Sequence, residues 1–289
     1  MSKTKMDSRE AGLVLAQQLL GIDDLHYGWW DDDLDLTLSN LTTAQQRYSD
    51  QLINRLPAAS PDTRILDIGS GTGHLIQQCL DRGYHIDGVS PSPSLSKQIR
   101  NRIENRTGCD TQLFECRFED FPADQNLQKY DAAYFSESFQ YISMKEAFKI
   151  LEKILKPGGK VIICDFFKRS EADLSAPGAN TFGGGHDYNE FLALLEEIPF
   201  NTDTNVDITE KVSRNIALLN DVLMNRLGPA LRTLGTYLGS RYPKTYWLLT
   251  RPFQKRFAKL ETKYFSGNRS QETFERFKTY HQIEMTFTG

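Results

Sequence analysis

Asp67 stands inside a short apolar run, Arg64 to Ile68, and Gly69, Gly71 and Gly73 follow at once. Such a run reads as a strand buried on both faces, where an acid is costly unless something pairs with it. Glycine is needed where the backbone takes positive φ or lets a ligand come into contact. Residues 74–80, with Leu75, Ile76, Cys79 and Leu80 at helical spacing, read as a helix directly behind the glycines. The first N–H groups of a helix have no partner within it, so this strand-turn-helix is a place for a ligand. The glycine spacing, with His74 after Gly73, is not the G-x-G-x-x-G that holds a dinucleotide pyrophosphate, and a dinucleotide is disfavoured.

Other reactive groups fall at expected strand ends, which line the ligand crevice of an open α/β sheet. Residues 130–135 read as a fourth strand ending in Ser136, Glu137, Ser138, Phe139, Gln140 and Tyr141. Glu137 is the carboxylate best placed for chemistry; a surface ion pair is the competing reading. Residues 182–187, Phe-Gly-Gly-Gly-His-Asp, read as a loop able to close on a substrate, with His186 as a candidate base against the plain alternative of a loop histidine. In doubly wound folds an acid about 20 residues after the glycines meets the ribose. Here that place holds Ser90, with Ser92 two residues on, and both hydroxyls can donate and accept.

The elements that must position these groups alternate. Further strands are expected at 84–89, 113–116, 160–166 and 205–212, and an edge strand at 282–287, with helices at 9–22, 42–56, 147–155 and 188–198. That order predicts a Rossmann-like, doubly wound α/β sheet. Residues 1–60 are expected to form N-terminal helices and a lid, 61–212 the core, 213–280 a helical insertion and 281–289 the last strand of the core.

Composition sets bounds. The chain has 289 residues, 39% of them hydrophobic, and a net charge of −4 that hides an asymmetry. Residues 211–289 hold 14 Lys or Arg against 5 Asp or Glu, interleaved with aromatics. Solvated helix faces, an anionic membrane surface and nucleic acid all fit such a stretch. Four scattered cysteines suggest neither a disulfide framework nor a zinc site, and no motif calls for a metal. No apolar run reaches the roughly 18 residues of a membrane span. The mixed charges of the first ten residues do not read as a signal peptide, so a reducing cytoplasm is the expected setting.

The stretch Asp67-Ile68-Gly69-Ser70-Gly71-Thr72-Gly73 resembles motif I of the class I S-adenosylmethionine-dependent methyltransferases. Leu155-Lys156-Pro157-Gly158-Gly159 resembles a second family feature at the expected place in the chain. His26-Tyr27-Gly28-Trp29-Trp30-Asp31 is similar to a segment that lies over the cofactor in the tocopherol, sterol and cyclopropane-fatty-acid branch, and Gly88 to Ser92 matches its G-V-[ST]-x-S pattern. Residues 117–122 resemble the adenine loop, with Arg117 where the family has an acid or amide, leaving Phe118 and Glu119 for the base. Ser136-Glu137-Ser138 resembles an acidic strand end of the tocopherol and sterol members. Gln140-Tyr141 stands where cyclopropane synthases carry Glu-His, which speaks against cyclopropanation.

The resemblance implies S-adenosyl-L-methionine as cofactor, held by Tyr27, Gly28, Asp67, Gly69, Gly71, Gly73, Ser90, Ser92, Phe118, Glu119 and Ser136. It implies the class I methyltransferase fold with a helical cap, 213–280, over the acceptor pocket. The aromatic cap points to a lipophilic acceptor of sterol, prenyl, quinone-like or fatty-acid type, and its Lys and Arg to peripheral membrane contact. Glu137 would serve carbon methylation; His186 or Tyr141 would help a hydroxyl or amine. A polar natural product or amine acceptor remains open, as does a nucleic-acid methyltransferase or non-catalytic binding module. The basic residues form no continuous run and no base-flipping signature follows the fourth strand, so nucleic acid is not the expected partner.

Overall fold

A computed structural model describes residues 15, 17–104, 110–173, 175–256, 258, 261, 265 and 267–289. Seven strands form one sheet: β1 (Arg64–Ile68), β2 (His85–Val89), β3 (Leu113–Phe114), β4 (Tyr130–Ser136), β5 (Leu155–Lys168), β6 (Phe200–Asp207) and β7 (Lys278–Phe287). Their order is β3-β2-β1-β4-β5-β7-β6. The first five run parallel, and β7 is antiparallel to both β5 and β6. Helices α1 (Leu41–Ile53), α2 (His74–Asp81), α3 (Pro93–Ile103), α4 (Met144–Ile154) and α5 (Tyr188–Leu195) accompany the strands. α6 (Thr209–Asp221), α7 (Gly228–Arg241), α8 (Pro243–Thr250) and α9 (Gln271–Phe277) lie between β6 and β7.

Strand residues alternate between two apolar layers because side chains one apart point to opposite faces. Leu66, Ile68, Phe135, Ile163 and Phe148 pack on one face; Ile65, Ile86, Tyr134, Ile162 and Ile76 pack on the other. A sheet covered on both sides needs near-continuous apolar strands, which is why β1 and β4 were readable.

Four expectations are corrected. The last strand begins at Lys278 and lies between β5 and β6, so it is interior and β6 is the edge. Its polar residues are buried: Glu284 takes Lys160 and Arg55 as ion-pair partners, and Gln282 is 1% exposed. The sixth strand is Phe200–Asp207 rather than 205–212, because the Asp207 carboxylate accepts the Thr209 N–H at 2.8 Å and the chain turns there into α6. The third strand is only Leu113–Phe114. The insertion before β7 is present and helical, but among its described residues Arg269 alone lines the cavity, so α7 and α8 do not cover it.

Of the helix expected at 9–22, residues 9–14 and 16 lie outside the described residues; Leu20 and Ile22 pack on a cluster around fully buried Trp30. Cys79, Cys116 and Cys164 are free thiols, and Cys109 lies outside the described residues. Among the described residues no helix is long and apolar enough to cross a membrane.

Candidate functional site

A cavity of about 740 Å³ opens where β1 and β4 part company, the point at which strand order reverses. Its floor is the turn after β1. Gly69, Gly71 and Gly73 all take positive φ, at 86°, 51° and 79°. They do so for different reasons. A Cβ on Gly69 would collide with Ser138, and one on Gly73 would lie 2.9 Å from Ile99 Cγ1, so both serve packing. A Cβ on Gly71 would meet nothing within 4 Å, and Gly71 lines the cavity. The turn itself is fixed by the Gly69 and Ser70 N–H groups, which donate to Val89 O at 2.9 and 3.0 Å.

Asp67 lies at the floor, 1% exposed, and its Oδ2 has no hydrogen-bond partner among the described residues. Burial pushes its carboxyl up to about 7. The Tyr134 and Ser70 hydroxyls pull it down only in part, and a buried acid with no cationic partner among the described residues, beside an open glycine cradle, fits a ligand with a cationic group close to an extended body. Ser90 lines the wall at 2% exposure, and Ser92 caps α3 by accepting the Leu95 N–H at 3.3 Å, which leaves its own proton for a ligand. Phe118 and Glu119 line the same wall. Desolvation would raise Glu119, but backbone N–H groups and Arg117, at 3.0 Å, outweigh it and hold the carboxyl below its ordinary range.

Glu137 sits at the β4 end with φ 55°, a left-handed conformation rare for a residue with a side chain. Its Oε1 accepts the Tyr27 N–H at 2.7 Å and the Tyr280 hydroxyl at 3.1 Å. Burial is the largest influence on it and raises its carboxyl above the usual value, against the pull of His26 and these two donors. Ser136 lines the cavity and donates to Tyr48 Oη at 3.3 Å. Tyr141 is at the rim, 63% exposed.

Three expected site residues do not reach the cavity wall. Gly28 donates its N–H to Asn215 at 3.2 Å and packs so closely on Ala44 that a Cβ would stand 2.6 Å from that methyl group. Gly73 packs under Ile99, as above. His186 is turned into the scaffold, its Nε2 donating to Phe139 O at 3.0 Å and its ring edge-on to Phe139. The glycine loop is also held rather than left to swing: Lys278 Nζ donates to Gly184 O at 2.6 Å and Lys168 N–H to His186 O at 2.7 Å.

Sequence reasoning missed a buried group of charges. His26 lines the cavity, stacks on Tyr48 at 4.3 Å and lies 3.4 Å from Asp24, whose other oxygen is 2.8 Å from His74. Burial resists ionisation of both Asp24 and His26, but their pairing overrides it: the acid is held low and the imidazole raised. Asp165, fully buried and pushed up to about 8 by burial, accepts the Gln140 N–H at 2.9 Å and fixes the strand end beside Glu137. Phe166, Phe182 and Arg269 complete the far wall, with the guanidinium 4.8 Å over the Phe182 ring. The His26-Tyr27-Gly28 triplet was the available signal for the first of these; nothing local marks Arg269.

Residues 41–180 match the model of a methyltransferase domain. A 27-O-demethylrifamycin SV methyltransferase of Amycolatopsis mediterranei is 29% identical over 154 residues, 53% of this chain and 54% of that protein. The chain thus spans about half the length of the curated relatives it matches. A geranyl diphosphate C-methyltransferase from Streptomyces coelicolor superposes with a TM-score of 0.66 at 15% identity, over 94% of this chain and 92% of that one. A cyclopropane synthase from Mycobacterium tuberculosis gives 0.64 at 16%, over 90% and 88%. By its sheet the chain has the Rossmann-like fold of the class I S-adenosylmethionine-dependent methyltransferases, and residues 41–180 match a methyltransferase domain.

Proposed function

We propose that this chain transfers a methyl group from S-adenosyl-L-methionine to a lipophilic small molecule. One observation carries the reading: a single cavity joins the open cradle of Gly71 and the buried Asp67 carboxyl, which has no cationic partner among the described residues, to an apolar wall of Ile142, Phe166 and Phe182. When bound, the cofactor supplies an electrophilic methyl group. Asp67 matches the ammonium of its methionine part, Ser90 and Ser92 its ribose hydroxyls, and Phe118 with Glu119 its base. The far wall takes the acceptor. Burying both partners and excluding water contributes through proximity, which can supply roughly 7–11 kcal/mol. Glu137 is the proton acceptor: its carboxylate stabilises positive charge developing on an alkene carbon or takes the proton of a hydroxyl. Tyr141, at the rim, is in reach of an acceptor hydroxyl.

Arg269 favours a second reading within the same chemistry, an acceptor whose apolar body carries an anionic group or a polar natural product of that kind. Relatives named for geranyl diphosphate and for a rifamycin span both types. Calorimetric titration with S-adenosylhomocysteine tests the cofactor site. Wild type binds, and Gly71→Ala, which stays folded at a cost of a few degrees in melting temperature for its positive φ, loses at least tenfold. Labelled cofactor offered with prenyl, sterol and carboxylate-bearing acceptors then reads the acceptor class by mass increase. Absence of binding by folded wild type overturns the reading.

A further inference from the structure

The helical insertion contains a hairpin whose outer surface belongs to no core. α7 and α8 meet through small residues: a Cβ on Gly235 would stand 3.2 Å from the Tyr246 hydroxyl, and one on Gly239 would stand 3.6 Å from its ring. That contact uses the glycine face of α7 and leaves the rest outside. None of residues 229–256 is buried. Leu231, Leu234, Tyr237, Trp247, Leu248 and Leu249 are each half exposed or more. So many large apolar side chains in so short a stretch mark an interaction surface.

Charge identifies the occupant. Residues 222–256 hold seven Lys or Arg and no Asp or Glu, whereas the whole chain is −4, leaving −11 for the remainder. A second copy of the chain would set the six Lys or Arg of residues 229–256 against six across a self-complementary contact, which opposes a dimer through this face. Duplex DNA would use the cations and leave Leu248 and Leu249 in water. An anionic bilayer satisfies both halves of the pattern, apolar side chains entering the headgroup boundary while Lys and Arg meet the phosphates. Trp247, with the Arg251 guanidinium 4.5 Å over its ring, has the amphipathic character suited to that depth.

We propose that the α7–α8 hairpin is a docking surface for anionic phospholipid bilayers. Trp247, Leu248 and Leu249 enter the interface, and Arg241, Lys244 and Arg251 engage the headgroup phosphates. None of these residues lines the cavity, so docking is separate from cofactor binding. It brings the enzyme to the place where a lipophilic acceptor would be dissolved, and in that respect it extends the functional reading above.

Flotation of the full chain with phosphatidylcholine vesicles, with and without a quarter of phosphatidylglycerol, tests this. The variants are Trp247→Ser/Leu248→Ser/Leu249→Ser and Arg241→Gln/Lys244→Gln/Arg251→Gln, with S-adenosylhomocysteine titration run on each protein. Wild type should float with anionic vesicles only, and should release as salt is raised from about 50 to about 500 mM. At about fivefold per cation, the charge variant should lose on the order of a hundredfold in partitioning. The apolar variant should lose at least tenfold. Cofactor-product affinity should stay the same in all three. Should wild type float while failing to bind the cofactor product, docking stands and the reading of the cavity falls. The proposal is overturned if wild type does not float at low salt, or if both variants float as well as wild type. It is also overturned by a dimer that the apolar variant splits, or by duplex DNA held as tightly as vesicles with the apolar variant unaffected.

Discussion

Asp67 shows how a residue of a proposed ligand site can be bad for the fold that carries it. Its carboxyl is pushed up to about 7 by burial, against an ordinary 3.8, so between those values the folded chain holds a proton that the unfolded chain has lost. Stability therefore falls as pH rises through that window, and the cost is complete above it. Asp67→Asn should accordingly raise the ligand-free melting temperature at pH 8, by roughly 1–3 kcal/mol of stability, with the gap closing as pH falls towards 4. The same variant should lose cofactor-product binding at least tenfold; a variant no more stable than wild type at pH 8 would mean that Oδ2 finds a partner in solution. Glu137 is different, since two donors already fill its Oε1. Glu137→Gln can keep that acceptor while it removes the charge and turns the second oxygen into a donor NH2 that cannot take a proton. Turnover should fall by about a hundredfold or more while S-adenosylhomocysteine affinity stays within a few-fold. An equal fall in affinity would instead assign Glu137 to holding the Tyr27 segment.

At the scale of elements, the strand-turn-helix around Gly71 was legible because sterics dictate it, and the purpose of each glycine was not. Gly71→Ala and Gly73→Ala both pay for positive φ, roughly 1 kcal/mol, but only the second drives a methyl group against Ile99. Gly71→Ala should leave thermal unfolding within a few degrees and weaken cofactor binding; Gly73→Ala should lose about 2 kcal/mol or more of stability. Calorimetry on both would reverse these assignments if the losses came out the other way round. β1, β2 and β4 were read from their apolar runs within a residue or so at each end. β7 was misplaced because its residues alternate like an edge strand, while Gln282 and Glu284 are buried by partners far away in sequence, among them Lys160 and Arg55. Arg269 and the Asp24–His26–His74 group were hidden for the same reason: only tertiary folding brings them to the cavity. His186 looked reactive from its glycine neighbours, yet a backbone carbonyl of Phe139 occupies its Nε2.

The whole molecule divides its stability and its surface unevenly. β1, β4, β5 and β7 each pair on both sides and carry side chains such as Ile65, Phe135, Ile163 and Ile283 with no exposure at all. The hairpin 229–256 has no buried residue, so its opening exposes little that the core has hidden. Opening free energies follow buried contact, and native-state hydrogen exchange should rank the molecule accordingly. Amides of β1 and β4 should exchange only through global unfolding, and those of α7 and α8 through local opening at far lower cost. Substitution should follow the same division: Ile163→Ala should cost about 2–5 kcal/mol and Leu248→Ala under about 0.5. Addition of anionic vesicles should slow exchange in α7 and α8, and should slow β4 by no more than the same factor, because a surface that binds only the folded chain raises the free energy of every opening that releases it. Hairpin amides as slow as those of β4 without lipid would mean that another surface already covers this face in solution, and the proposed division between a rigid sheet carrying the cavity and an exposed docking arm would not hold.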